Sequence, residues 1–161
     1  MNITEYNSTV DDYSDGIYRF ILKNLRDPDK AKDIVQDTYE KLWLNAKSVQ
    51  YKTAKSYLFT TAYHTMIDYI RKDKRTNEFQ KSNPADTAHA EQYSDLHEVL
   101  NQAVSKLPED QRSVILLRDY EGYSYSEIGE ITGLNESQVK VYIYRARTFL
   151  KNYIGSMETV I

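Results

Sequence analysis

A chain of 161 residues with 40% hydrophobic and 28% charged residues is long enough for one ordinary domain or two small ones, and such a composition excludes intrinsic disorder. Cysteine is absent, which excludes disulfides and thiolate metal sites and points to a reducing cytoplasm. No apolar run approaches the roughly 20 residues of a membrane span, and the opening MNITEYNSTVDDYSDG is polar and acidic, the opposite of a secretory signal.

The net charge of −3 argues at first against a polyanionic partner, but the charge is unevenly spread. Residues 44–81 carry eight basic against three acidic side chains, residues 134–153 carry four against one, and residues 82–101 carry no basic residue at all. Local patches of this kind, rather than the total, govern binding to nucleic acid.

In chain order, DYSDGIYRFILKNL places Tyr13, Ile17, Phe20, Ile21 and Leu25 on one helical stripe. Pro28 interrupts, Asp29 is the expected N-cap, and the next helix, KAKDIVQDTYEKLWLNA, lines up Ala31, Ile34, Val35, Thr38 and Leu42. AKSYLFTTAYHTMIDYIRK reads as a third long helix burying Leu58, Ala62, Met66 and Ile70. Its neighbourhood combines Lys47, Lys52, Lys55, Arg71, Lys72, Lys74 and Arg75 with Tyr51, Tyr57, Phe59, Tyr63 and Tyr69. Cations track phosphates and aromatic faces stack on unpaired bases, so a strand-opening surface is physically reasonable here. Taken singly, each tyrosine serves a core equally well.

Residues 76–94 lose apolar periodicity and gather Asn, Ser, Pro, Ala and Asp, a linker composition. Beyond it DLHEVLNQAVSKL carries Leu96, Val99, Leu100, Ala103, Val104 and Leu107, and PEDQRSVILLRDYEG runs from Pro108 to a stop at Gly122. The fold class is all-α: two small helical domains, residues 1–75 and 95–161, joined by an acidic tether.

The last elements are the most specific. Ser124 and Glu127 form a capping-box pattern, Gly133 supplies a tight turn, and Gly129 permits close approach of two helices. Asn135 is the expected cap of the second helix, with Gln138 in its third position. Val139, Ile143, Ala146 and Leu150 bury one face of it. This is a helix-turn-helix pattern. The opposite face carries Ser137, Gln138, Lys140, Val141, Tyr144 and Arg147, of which Gln suits an adenine edge, Lys a guanine edge and Val a thymine methyl.

Enzyme chemistry finds no support. His64, His89 and His97 lack metal-ligand spacing, and the five glycines form no phosphate-cradling loop, so no cofactor is expected. A stand-alone helix-turn-helix regulator is the main alternative, although it normally needs a dimer seam, and none is evident. A protein that sequesters another factor without reading DNA fits the basic segments less well.

The ordered set DIVQDTYEKLW, SYLFTTAYHTMIDYIRKDKR, polar linker and LPEDQRSVILLRDYEGYSYSEIGEITGLNESQVKVYIYRAR resembles bacterial sigma factors of the extracytoplasmic-function (ECF) group, over roughly residues 10–153. The resemblance implies an initiation factor whose partners are core RNA polymerase and promoter DNA, and which an anti-sigma protein, membrane-associated or not, holds inactive. It implies no membrane insertion of the chain itself. DIVQDTYEKLW resembles the polymerase-binding helix, which assigns Asp33, Gln36, Asp37 and Glu40 to the polymerase clamp. SYLFTTAYHTMIDYIRK resembles the segment that melts the −10 element, with Asp68, Tyr69 and Arg71 in the family's pattern. Tyr57 replaces the usual Trp and His64 a common Asn. With Tyr63, Lys72, Lys74 and Arg75 these residues make the expected −10 surface. In the second helix of the helix-turn-helix, which would read the −35 element, Val139, Lys140, Arg145 and Ala146 match the family. Gln138, Val141 and Tyr142 depart from it, so the −35 sequence cannot be borrowed from relatives.

Overall fold

The computed structural model describes residues 1–79 and 96–158. Among these the fold is helical, with α1 (Ile3–Leu25), α2 (Pro28–Leu44), α3 (Ala54–Phe79), α4 (Leu96–Ser105), α5 (Glu109–Ile115), α6 (Tyr125–Thr132) and α7 (Glu136–Glu158). The all-α expectation holds. Most of the proposed linker, together with His89, lies outside the described residues, while residues 76–79 continue α3.

α1 starts earlier than its apolar stripe. Asn2 accepts from the Glu5 backbone at 2.8 Å and Glu5 Oε1 accepts from the Asn2 backbone at 3.0 Å, a capping box that satisfies two end donors. The N-terminal amine donates to Ala46 O at 2.8 Å, tying this end to the chain beyond α2. α2 is capped by Asp27 rather than the expected Asp29: the Asp27 Oδ1 accepts from the Lys30 backbone at 3.1 Å, and Pro28 occupies the first turn instead of interrupting, since its missing N–H costs nothing there.

α1, α2 and α3 pack on one another around Ile17, Phe20, Ile21, Ile34, Leu42, Leu58 and Met66, all buried. The Tyr39 hydroxyl donates to Thr9 O at 2.7 Å, and burial holds its pKa well above the usual phenol value. In the C-terminal half α4, α5 and α6 close on α7 around Val104, Leu107, Val114, Ile115, Ile128, Val139 and Ile143. Leu96, expected on the buried stripe of α4, is instead 65% exposed. It stands at the first position of that helix, before the chain has turned onto the core.

α5 does not run on regularly to Gly122. Residues 116–120 form a π-helical stretch in which the Glu121 N–H reaches back five residues to Leu116 O at 3.2 Å. Gly122 then takes a φ of 75°, a left-handed conformation that glycine adopts without steric cost. The buried apolar residues form one cluster that runs without a break from the N-terminal helices into the C-terminal ones.

Candidate nucleic-acid interface

The helix-turn-helix is built by local geometry. Ser124 Oγ accepts from the Glu127 backbone at 3.1 Å and Glu127 Oε1 accepts from the Ser124 backbone at 3.0 Å, which starts α6 and lowers the Glu127 carboxyl pKa. Gly133 ends α6 at φ 80°. A methyl group at Gly129 would lie 2.9 Å from Leu134 O, closer than real carbons approach, so only glycine lets the turn fold back onto α6. Val139, Ile143 and Ala146 are buried and dock α7.

Opposite that buried stripe, Ser137, Gln138, Lys140, Val141, Tyr144, Arg145 and Arg147 are all exposed, Tyr144 at 73%. Two of them are already engaged. Gln138 Oε1 accepts from the Asn135 backbone at 3.0 Å, completing a second capping box, so its amide is held at the helix start. Arg147 makes a two-pronged pair with Asp119 at 2.6 and 3.2 Å, which raises its already high pKa. Lys140 reaches Glu136 at 3.8 Å only loosely. The side chains with least to give up are therefore Ser137, Lys140, Val141, Tyr144 and Arg145.

The second surface lies on α3. Its C-terminal turns expose Asp68, Arg71, Lys72, Lys74 and Arg75, and His64 is exposed one turn earlier. Tyr57 is half-buried, its hydroxyl 3.3 Å from Asn45 Nδ2. Tyr63 is only 6% exposed. Its pKa is pushed up to about 12, first by burial and then by Asp110 and Glu109 of α5, with Arg71 opposing. The expected −10 residues thus divide into an open basic end and a covered aromatic flank.

On α2, Asp33, Gln36 and Glu40 are exposed, and Asp37 is half-exposed and paired with Lys41 at 3.1 Å. Trp43 and Leu44, one turn beyond Glu40, are exposed apolar residues that the polar-face reading of this helix missed, and Trp43 lines one cavity with the exposed Ile3. The signal was present: Trp43 and Leu44 fall off the Ala31–Leu42 stripe. Sequence reasoning also missed Asn24, Arg112, Glu121 and Tyr123, which join the two halves.

Residues 9–76 match sigma-70 region 2, and residues 97–150 match sigma-70 region 4. A helical half of the first kind and a helix-turn-helix half of the second define a sigma-70-class transcription initiation factor. RNA polymerase sigma factor SigV of Bacillus subtilis (strain 168) is 32% identical over 150 residues, covering 88% of this chain and 86% of that one. ECF RNA polymerase sigma factor SigM of the same organism is 28% identical over 148 residues, with 86% and 88% covered. The sigma factor RpoE from Bartonella quintana, solved in complex with the anti-sigma factor NepR, shares the fold at a TM-score of 0.80, covering 95% of this chain and 98% of that one at 24% identity. The chain belongs to the RNA polymerase sigma factors of the ECF group. Factors of this class direct polymerase to promoters and are not enzymes.

Proposed function

We propose that this sigma factor reads the −35 element with α7 and the −10 element with the basic end of α3, and docks on the polymerase clamp through α2. The observation that carries the reading is the face of α7: a helix pinned by Val139, Ile143 and Ala146 presents Lys140, Val141, Tyr144 and Arg145 to solvent in one row. A helix so presented fits the major groove, where Lys meets guanine and Val a thymine methyl.

On α3, Arg71, Lys72, Lys74 and Arg75 supply backbone charge, with Tyr57, Tyr63, His64 and Asp68 toward the melted bases. On α2, Asp33, Gln36, Asp37 and Glu40 form the polymerase face, beside the apolar Trp43 and Leu44. The domain assignment follows, with residues 1–75 for polymerase and the −10 element, 76–94 as connection, and 95–161 for the −35 element. The factor works in the cytoplasm, where the polymerase it serves acts. No helix among its described residues is long and apolar enough to cross a membrane. Its inactive state is held by an anti-sigma partner covering these same faces.

The test is run-off transcription with purified core polymerase on a fragment library. Discrete start sites that need both components, and whose upstream sequences align into two elements, are the expected result. Specific duplex binding without polymerase-dependent starts would instead favour a stand-alone regulator.

A further inference from the structure

α1 carries two parallel rows of side chains where it faces α4. Tyr18 and Leu22, one turn apart and both half-buried, make an apolar row that Pro28 continues at the start of α2. Beside it run Arg19, Lys23 and Arg26, at steps of four and three, so that cations follow one another along about 10 Å of the helix. With Asn101 of α4 as the opposite wall, these residues line a cleft of about 510 Å³. A cleft of that size, apolar along one side with a few convergent polar groups, has the make-up of a small-molecule site.

The cations of the row are not equally committed. Arg19 grips Glu121 with both prongs at 3.0 Å, and the Glu121 side chain is nearly buried there, so this guanidinium has little left to offer. Lys23 is paired with no carboxylate among the described residues. It donates to Asn101 Oδ1 at 3.1 Å and stands 4.7 Å over the Tyr120 ring, and neither group neutralises an ammonium. Burial and the charge of Arg19 lower its pKa, with Glu121 opposing, as expected of a cation short of a counter-ion.

Arg26 is held for another reason. It ends α1 at φ 56° and is the only non-glycine residue in the left-handed region among those described. Glycine takes that conformation freely and a residue with a Cβ does not, so glycine or asparagine is the usual choice at such a helix end. An arginine there is retained for its guanidinium. The partner in view does not account for it: Nη2 reaches Glu98 by one contact at 3.3 Å, with the two side chains 41% and 48% exposed, a pair that contributes little in water.

Charges strung along a row suit a ligand whose own charges are strung along a chain. A lone carboxylate answers one cation, whereas a di- or triphosphate answers Lys23 and Arg26 together. The apolar row alongside calls for a flat body on the same molecule, and a tyrosine ring stacks on a base whatever its identity.

We propose that the cleft between α1 and α4 binds a nucleoside di- or triphosphate, its base against Tyr18 and Leu22 and its phosphates between Lys23 and Arg26. A ligand that touches both α1 and Asn101 of α4 stabilises the folded chain by mass action, and the factor then responds to the nucleotide pool. None of the residues that line the cleft is on the faces of α2, α3 and α7 assigned to polymerase and promoter, so the site stands or falls apart from that assignment.

Isothermal titration calorimetry of the full chain tests it, with ADP, GDP and pyrophosphate as probes and no divalent cation present. ADP and GDP should bind saturably at one site, and pyrophosphate about tenfold more weakly because it lacks a base to stack. Lys23→Gln should weaken ADP about tenfold by removing one charge-assisted hydrogen bond. Arg26→Gly should weaken it as much while raising the melting temperature of the ligand-free protein, since glycine relieves the left-handed backbone. Tyr18→Leu should weaken ADP and leave pyrophosphate unchanged; should that variant fail to fold, Arg26→Gly at its exposed position still decides. Absence of saturable nucleotide binding overturns the proposal. Binding indifferent to Lys23→Gln and Arg26→Gly also overturns it, by placing the nucleotide on the basic faces of α3 or α7. A lower melting temperature for Arg26→Gly with unchanged affinity would assign Arg26 to the fold alone, and equal affinity for pyrophosphate and ADP would leave only an anion site; each result overturns the nucleotide site as proposed.

Discussion

The α7 face and the α3 face are both basic helical surfaces with aromatic residues among the cations, yet the fold treats them in opposite ways. On α7 the apolar and polar faces are cleanly divided, and Tyr144 stands out in solvent beside Lys140 and Arg145. On α3 the cations are exposed while Phe59 and Tyr63 are covered, Phe59 between Phe20 of its own half and Tyr123 of the other. A surface that reads intact duplex needs only to be presented. On α3 the covered rings leave the exposed cations as the part of that face open to solvent.

The largest effect expected from breaking this contrast falls on α7. If α7 reads the −35 element as proposed, replacing Lys140 and Tyr144 together by Ala should cost about 1–2 kcal/mol each, or about 100-fold in run-off yield at promoters that depend on that element. Both residues are exposed, so the melting temperature should barely move. An equal loss on templates with a scrambled −35 element would show that α7 does not read it.

Gly129→Val should destabilise the C-terminal half by about 2 kcal/mol, because the new side chain meets the Leu134 carbonyl and the turn cannot yield without losing its left-handed Gly133. Urea unfolding measures this, and an unchanged midpoint would mean the turn has slack that its geometry denies. Asn24→Ala should cost about 1–2 kcal/mol by stripping the partly buried Arg112 of an acceptor. Hydrogen exchange should place the loss in both α1 and α5; confinement to α1 would mean that Asn24 does not couple the halves.

The smallest effect is a titration. Covered Tyr63 keeps its proton to about pH 12, whereas in the unfolded chain it releases it near the ordinary value of 10.0. Its contribution to stability is complete below about pH 10 and is lost as the pH rises toward 12. The ultraviolet difference titration of wild type against Tyr63→Phe should show one phenol ionising late. A Tyr63 that titrates normally would mean the α3 flank is not covered.

The helix-turn-helix was legible because its determinants are local. Ser124 with Glu127, Gly129 with Gly133, and Val139 with Ile143 act within one or two turns, and spacing alone specifies each. The same locality adds one detail. Gln138 was read both as part of a cap and as a DNA contact, and its Oε1 serves the cap because its partner lies three residues away. The start of α1 was legible in the same way, since Asn2 and Glu5 are a capping box in plain sight, although the apolar stripe drew attention only from Tyr13 onward.

What the sequence determined by itself is therefore the kind of protein: seven amphipathic helices, two basic faces, and the ordered motifs of a sigma factor, all set by short-range periodicity and turn chemistry. What the tertiary structure decided is which of those faces is open. Asn24 finds Arg112 across 88 positions and Arg19 finds Glu121 across 102, and no local pattern marks either pairing. The burial of Phe59 and Tyr63 is likewise a tertiary outcome, because a ring that suits a core and a ring that suits a stacked base look alike until the rest of the chain either covers it or leaves it bare.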